Sequence, residues 1–97
     1  MKIRLSLEAS DDLDEIWAYT NMNWSHTQAD KYISSIIDEF DTIPSRATFR
    51  SVAISGTAYC YISFKSHYIF FELENANEMI NIIRILHHKM DFVKQLA

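Results

Sequence analysis

Residues 81–91, NIIRILHHKMD, constrain this chain more than any other stretch. With Ile80 just before them, Ile82, Ile83, Ile85 and Leu86 are apolar and mostly β-branched, which suits a strand buried on both faces of a sheet. Arg84 interrupts the run. His87, His88, Lys89 and Asp91 follow where the strand should run out. A buried strand that delivers ionisable groups to its end is the first place to look for function. The rest of the chain must supply neighbouring strands and helices to cover the sheet.

Residues 2–7 alternate strictly, with Ile3, Leu5 and Leu7 on one side, so they read as a half-buried strand. Ser6 or Ser10 can cap the element that follows. Leu13, Ile16, Trp17 and Thr20 fall at i, i+3, i+4 and i+7, a helix with one apolar stripe. Trp17 reads as a core aromatic in register with Leu13, with a partner anchor as the alternative. Residues 21–24 break the pattern. Ser25, followed three residues later by Gln28, resembles a capping box. From there Ala29, Tyr32, Ile33, Ile36, Ile37, Phe40 and Ile43 hold helical spacing, the strongest periodic signal in the chain. Pro44 stops it.

Residues 45–57 are ambiguous. Arg46, Phe49 and Arg50 are basic and aromatic, and the arginines read as solvated loop residues before they read as nucleic-acid contacts. Val52, Ala53 and Ile54 fit a short strand or one helical turn. Gly56 marks a turn needing positive φ. Residues 59–65 alternate, with Cys60, Ile62 and Phe64 on one face and Tyr59, Tyr61, Ser63 and Lys65 on the other. A tight turn at Lys65 and Ser66 leads into residues 67–74, where Ile69, Phe71 and Leu73 alternate with Tyr68, Phe70 and Glu72. Residues 74–78 are a polar connection typical of a hairpin. Residues 90–97 fit a short helix or an extended arm.

This order predicts an α+β domain over residues 1–97: an N-terminal strand, then an antiparallel helical hairpin on one face of a mainly antiparallel sheet of three to five strands. The other sheet face would carry Tyr59, Tyr61, Tyr68, Phe70 and Arg84. If it is open, such a patch marks a partner site. The alternative is that the tail and residues 45–57 fold over it.

At 97 residues with 48% apolar content and one Gly and one Pro, one ordered core is feasible without disulfides or metal. A single cysteine, no leader-like N-terminus and no long apolar run predict a soluble cytoplasmic protein. The net charge of −4 is uneven. Residues 1–43 carry three basic and nine acidic side chains, and residues 44–97 carry six and four. The excess on Glu8, Asp11, Asp12, Asp14 and Glu15 fits the positive end of a helix dipole. The total argues against a general nucleic-acid binder, and no direct nucleic-acid contact is expected.

The runs LEASDDLDEIWAYTNMNWSHTQADKYISSIIDEF (7–40), SHYIFFELEN (66–75) and above all IIRILHHKMD (82–91) resemble ParE-type toxins of the ParE/RelE toxin–antitoxin superfamily. Trp17, Tyr19, Trp24, Gln28, Ala29, His67, Arg84, His87, Met90 and Asp91 match that family's pattern in order. One departure is a short segment after the second helix. Another is Cys60 or Tyr61 where the family carries an arginine. The resemblance implies a toxin silenced by a ParD-like antitoxin in a hetero-oligomer, without a cofactor. It also implies that the toxin poisons DNA gyrase by docking and has no chemistry of its own. On this reading Tyr61, Tyr68, Phe70, Arg84, His87, Met90 and Asp91 are the partner-binding candidates.

The RelE-like branch implies an alternative, cleavage of mRNA on the ribosome. That chemistry needs a base, an acid and a cation on the phosphate. His87 and His88 supply the first two types, and Arg84 or Lys65 the third. Against it stands the acidic total charge. A hydrogen-bonded His87 that locks the strand to the tail is the plainer reading of that residue. A metal on His67, His87 and His88 is not expected, because they lack further ligands at ligand spacing. A toxin fold that only binds its antitoxin is the third possibility.

Overall fold

The computed structural model describes residues 2–74 and 78–97. The chain runs β1 (Lys2–Leu5), α1 (Leu7–Asn23), α2 (His26–Phe40), a 3-10 turn (Ile43–Ser45), β2 (Arg50–Ile54), β3 (Thr57–Phe64), β4 (His67–Glu74), β5 (Met79–His87) and α3 (Phe92–Leu96). The strands form one sheet in the order β1-β5-β4-β3-β2. β1 lies parallel to β5, and the other neighbouring pairs are antiparallel. This is the expected α+β arrangement, at the upper end of the expected strand count. The polar connection read over residues 74–78 falls partly on residues 75–77, outside the described residues.

The first strand is shorter than its alternation suggests. Leu7 already belongs to α1 and is exposed, and all four residues of β1 are exposed. Ser6 ends the strand. Its Oγ accepts the Ala9 amide at 2.9 Å and donates to the Ile83 carbonyl at 2.6 Å, so one hydroxyl both caps α1 and seats it on β5. With α1 starting at Leu7, only Glu8 lies in its first turn. The helix-dipole reading therefore fails for Asp11, Asp12, Asp14 and Glu15. Residues 21–23 stay helical, and the break is confined to Trp24 and Ser25. Ser25 caps α2 through the Gln28 amide at 3.0 Å. Trp17 is half-buried. Its Nε1–H donates to Asp30 Oδ1 at 2.9 Å and its ring meets His26 edge to face at 5.2 Å, so it ties the two helices together.

The core lies between the hairpin and the sheet. Ala9 and Leu13 of α1, Ile36 and Phe40 of α2, and Ile43 meet Ile62, Ile69, Phe71, Ile80, Ile82 and Ile85. Burying a branched or aromatic side chain of this size stabilises by roughly 1.5–3 kcal/mol. Ile80 and Ile82 share the helical face by simple alternation, yet Ile85 joins them. The register explains why: Phe70 pairs with Arg84 and Phe71 with Ile82, so Ile83 is a one-residue bulge. The bulge shifts the parity of everything after it. It turns Ile85 and His87 toward the helices, and Arg84 and Leu86 toward the opposite face.

Two turns need positive φ. Ser55 and Gly56 (φ 52° and 83°) join β2 to β3, and Lys65 (φ 52°) sits in the β3–β4 turn. The ambiguous segment is thus strand at Arg50–Ile54. Arg46 is not solvated as expected; it pairs with Glu39 at 2.6 Å. Phe49 packs edge to face on Phe71.

The sheet face read as open is covered by the tail. Asp91 caps α3 by accepting the Val93 and Lys94 amides. Phe92 then lies 5.5–6.2 Å from the rings of Tyr61, Tyr68 and Phe70. Phe70 is fully buried, and Tyr59 Oη reaches the Leu96 carbonyl at 3.4 Å. Phe92, at the first position of this capped turn, packs the tail back onto the sheet.

Candidate functional site

β1 ends opposite Ile82, so β5 runs on without a partner on that edge. α1 takes over the edge with one side chain. Asp12 Oδ2 accepts the Ile85 amide at 2.9 Å, and its two oxygens take Arg84 Nε at 2.8 Å and Nη2 at 2.9 Å. Asp12 is only 7% exposed. This hydrogen bond holds the Arg84 guanidinium above its ordinary pKa, against the opposing pull of burial. Arg84 Nη1 also reaches the Gln95 carbonyl at 3.3 Å, so the arginine joins α1 to α3 around the sheet edge.

Beyond this clamp the helical hairpin and the sheet diverge into a cleft of about 860 Å³. One wall is Asp12, Glu15, Ile16, Tyr19 and Thr20 of α1, with Trp24 at the hairpin turn. Gln28 and Tyr32 of α2 continue it. The opposite wall is Lys65, Ser66 and His67 from the β3–β4 turn, then Ile85, His87, Lys89 and Met90 from the end of β5. Tyr19 (63% exposed) and Trp24 (67%) stand over the mouth with rings 6.2 Å apart.

Two imidazoles and a phenol meet on the floor of the cleft. His67 Nδ1 lies 2.8 Å from Tyr32 Oη. Burial raises the Tyr32 pKa, and a hydrogen bond from the Ser66 backbone pulls it the other way. His67 is buried, and desolvation, with His87 and His88 close by, lowers its pKa from 6.5 to about 4. It is neutral at pH 7. His87 accepts the Lys89 amide on Nδ1 at 3.1 Å, so its proton sits on Nε2. The two rings meet edge to face at 5.1 Å. The Lys65 ammonium lies 5.2 Å from the centre of the Tyr32 ring and 3.5 Å from Ser35 Oγ.

The candidates from sequence divide between the two sides of the sheet. His87, Met90 and Lys65 line the cleft. His88 turns to the other face, 3.1 Å from Ser63 Oγ and stacked on Tyr68 at 4.3 Å. Arg84 is engaged by Asp12. The four residues of the nuclease reading are therefore not brought together. Tyr61 and Tyr68 are half-buried against Phe92, Phe70 has no exposed surface, and Asp91 is occupied as a cap. The tail covers Phe70 and part of Tyr61 and Tyr68, while Asp91 stays exposed. The His87 side chain is hydrogen-bonded, but to the Lys89 amide two residues on and not to the tail, so the expected strand-to-tail lock is not made by its ring. Among the described residues, no group of three His, Cys, Asp or Glu side chains is placed to hold a metal, and no helix is long and apolar enough to cross a membrane.

Sequence reasoning did not assign roles to Asp12, Glu15, Tyr19, Trp24 and Lys89. The only signal was the resemblance: Tyr19, Trp24, Gln28, His67, His87 and Met90 all carry it, and all line this one cleft.

Comparison with known proteins agrees over nearly the full chain. The family model described as the ParE toxin of the type II toxin–antitoxin system parDE matches residues 3–92. Toxin ParE1 of Mycobacterium tuberculosis (strain H37Rv) is 28% identical over 93 residues, covering 95% of this chain and 94% of the relative. Toxin ParE of Escherichia coli is 29% identical over 94 residues, covering 96% and 90%. A solved structure titled "Chromosomal ParDE TA system from P. aeruginosa" superposes with a TM-score of 0.74 at 17% identity, covering 90% of this chain and 95% of its own, and shares the fold.

Proposed function

Because the chain belongs to the ParE toxin family of type II toxin–antitoxin systems, we propose that it acts in the cytoplasm by docking on a protein target, and that this target is DNA gyrase. A ParD-like antitoxin neutralises it in a hetero-oligomer. The observation that carries this reading is the dispersal of the nuclease groups. His87 and Lys65 lie in the cleft, His88 lies across the sheet, and Arg84 is held by Asp12. A scissile phosphate needs its base, acid and cation within hydrogen-bond reach of one point. The exposed Tyr19 and Trp24, with Met90, suit a protein surface better, since aromatic anchors dominate protein recognition. The acidic α1 further disfavours a ribosomal RNA surface.

Tight induction in a bacterial host, with labelled thymidine and labelled methionine followed over the first minutes, tests this reading. Early loss of thymidine incorporation with protein synthesis intact is expected. Early loss of methionine incorporation would overturn it in favour of RNA cleavage. Undisturbed growth would reduce the chain to an antitoxin-binding fold. A gene for a short DNA-binding protein immediately upstream is the expected source of the antitoxin.

A further inference from the structure

The sheet ends in β1 on one side and β2 on the other, and the two edges are built differently. Two of the four residues of β1 are Lys2 and Arg4. Charged side chains on an edge, lysine above all, guard a sheet against strand-on-strand association. β2 reads Arg50-Ser51-Val52-Ala53-Ile54 and holds no lysine, no acid and no proline. Ser51 and Ala53 are small and exposed, and Val52 is half-buried.

The hairpin turn decides which backbone groups of β2 face outward. Ser55 and Gly56, both at positive φ, form a two-residue turn, and such a turn closes on a hydrogen-bonded pair, here Ile54 and Thr57. Hydrogen-bonded and non-hydrogen-bonded pairs alternate along an antiparallel ladder. Ile54, Val52 and Arg50 therefore direct their amides and carbonyls to β3, and Ser51 and Ala53 aim theirs away from it. Among the described residues, no further strand or loop backbone bonds these outward groups.

We propose that β2 pairs antiparallel with β2 of a second copy of this chain, about a two-fold axis at Val52. The edge is self-complementary in that register. Ser51 of each copy meets Ala53 of the other, and each such pair exchanges both its N–H···O=C bonds, so every outward group is satisfied. The two Val52 side chains meet at the axis as a non-hydrogen-bonded pair, the closer of the two spacings. Arg50 falls opposite Ile54, so no like charges face each other. The two Arg50 residues stand roughly 14 Å apart along the ladder, beyond the screening length of about 8 Å at physiological salt. A strand of a different protein would need only a free backbone. The placing of Ser51 and Ala53 on either side of Val52, with no charge opposite its like, is what selects a second copy. The interface is small, so the dimer is reversible, with a dissociation constant on the order of tens of micromolar. The inference goes beyond the docking reading and holds whatever the toxin's target is.

The test is sedimentation velocity on the full chain, made by cell-free synthesis, over a dilution series reaching about 1 mM. A monomer–dimer equilibrium is expected. Val52→Lys and Val52→Glu each put like charges face to face at the axis, and each is expected to weaken self-association by about tenfold or more. An equimolar mixture of the two variants is expected to restore it, since the charges then match. Ala53→Pro removes an outward N–H and no bond to β3, so it is expected to weaken the dimer with the circular dichroism spectrum unchanged. A dimer that persists undiminished in V52K, V52E and A53P, or a V52K and V52E mixture that stays monomeric, would overturn the proposal. A monomer throughout the series would also overturn it, and would leave this edge to a strand of a different protein.

Discussion

Asp12→Ala tests the clamp at the β5 edge. The substitution removes the carboxylate that satisfies Arg84 Nε, Arg84 Nη2 and the Ile85 amide together. The Asp12 and Arg84 side chains are 9% and 19% exposed, so solvent replaces little of what is lost. Removing one partner of a buried pair costs about 3–5 kcal/mol. The partly wet Arg84 and its remaining bond to Gln95 place this case at about 3 kcal/mol. The orphaned Ile85 amide adds about 1 kcal/mol. A total near 4 kcal/mol is a large share of the roughly 5–15 kcal/mol that holds a domain folded. For a domain of this size it lowers Tm by more than about 12 °C. Urea unfolding followed by circular dichroism should show a lower midpoint at constant slope. Arg84→Ala should cost less, because Asp12 keeps the Ile85 amide. In the double variant D12A/R84A the losses should fall short of additivity by about 2 kcal/mol. If each single variant costs under about 1 kcal/mol and the two sum, the clamp does not hold this edge and the reasoning is wrong.

Three further outcomes are expected. His67 titrates near 4 in the fold and near 6.5 when unfolded. The unfolded chain therefore takes up a proton first, and stability falls as pH drops from about 6.5 to 4, by on the order of 3 kcal/mol. Denaturation midpoints across that range should show the slope, and His67→Gln should flatten it. Phe92→Ala should cost about 1.5 kcal/mol and uncover Tyr61, Tyr68 and Phe70, read as a gain in binding of a hydrophobic dye. Gly56→Ala meets no atom within 4 Å but must hold φ at 83°, so thermal unfolding should report a pure backbone cost of about 1–2 kcal/mol.

Much of the fold was legible because its periodicities are clean. Alternation in β3 and β4 put the right residues in the core, and helical spacing through α2 did so for all but Ile37, which is exposed. The first strand misled because Leu7 continues an alternation that Ser6 ends by capping. The clamp was hidden because one acidic residue among five looks like its neighbours; only the edge of β5 distinguishes Asp12. The bulge at Ile83 did leave a trace: Asn81 and Arg84 are polar three positions apart, which strict alternation would put on opposite faces. The separation of His87 from His88 was readable: adjacent residues on a strand point to opposite faces, so they were never suited to one site. The cleft was not readable, because its walls come from segments far apart in the chain.

The sheet is joined across the longest distance the sequence allows. Among the described residues β1 pairs with β5 alone, and Ser6 bonds Ile83 across 77 positions. A ribosome part-way through this message holds a finished helical pair with no floor to rest on. The clamp, the core under α1 and the β5 part of the cleft come into being together, when residues 79–90 join the fold. A chain that stops short of residue 79 therefore lacks the clamp and the β5 part of the cleft. Such long-range closure forms late in folding, because the loop that joins β1 to β5 must be closed before their contacts stabilise anything.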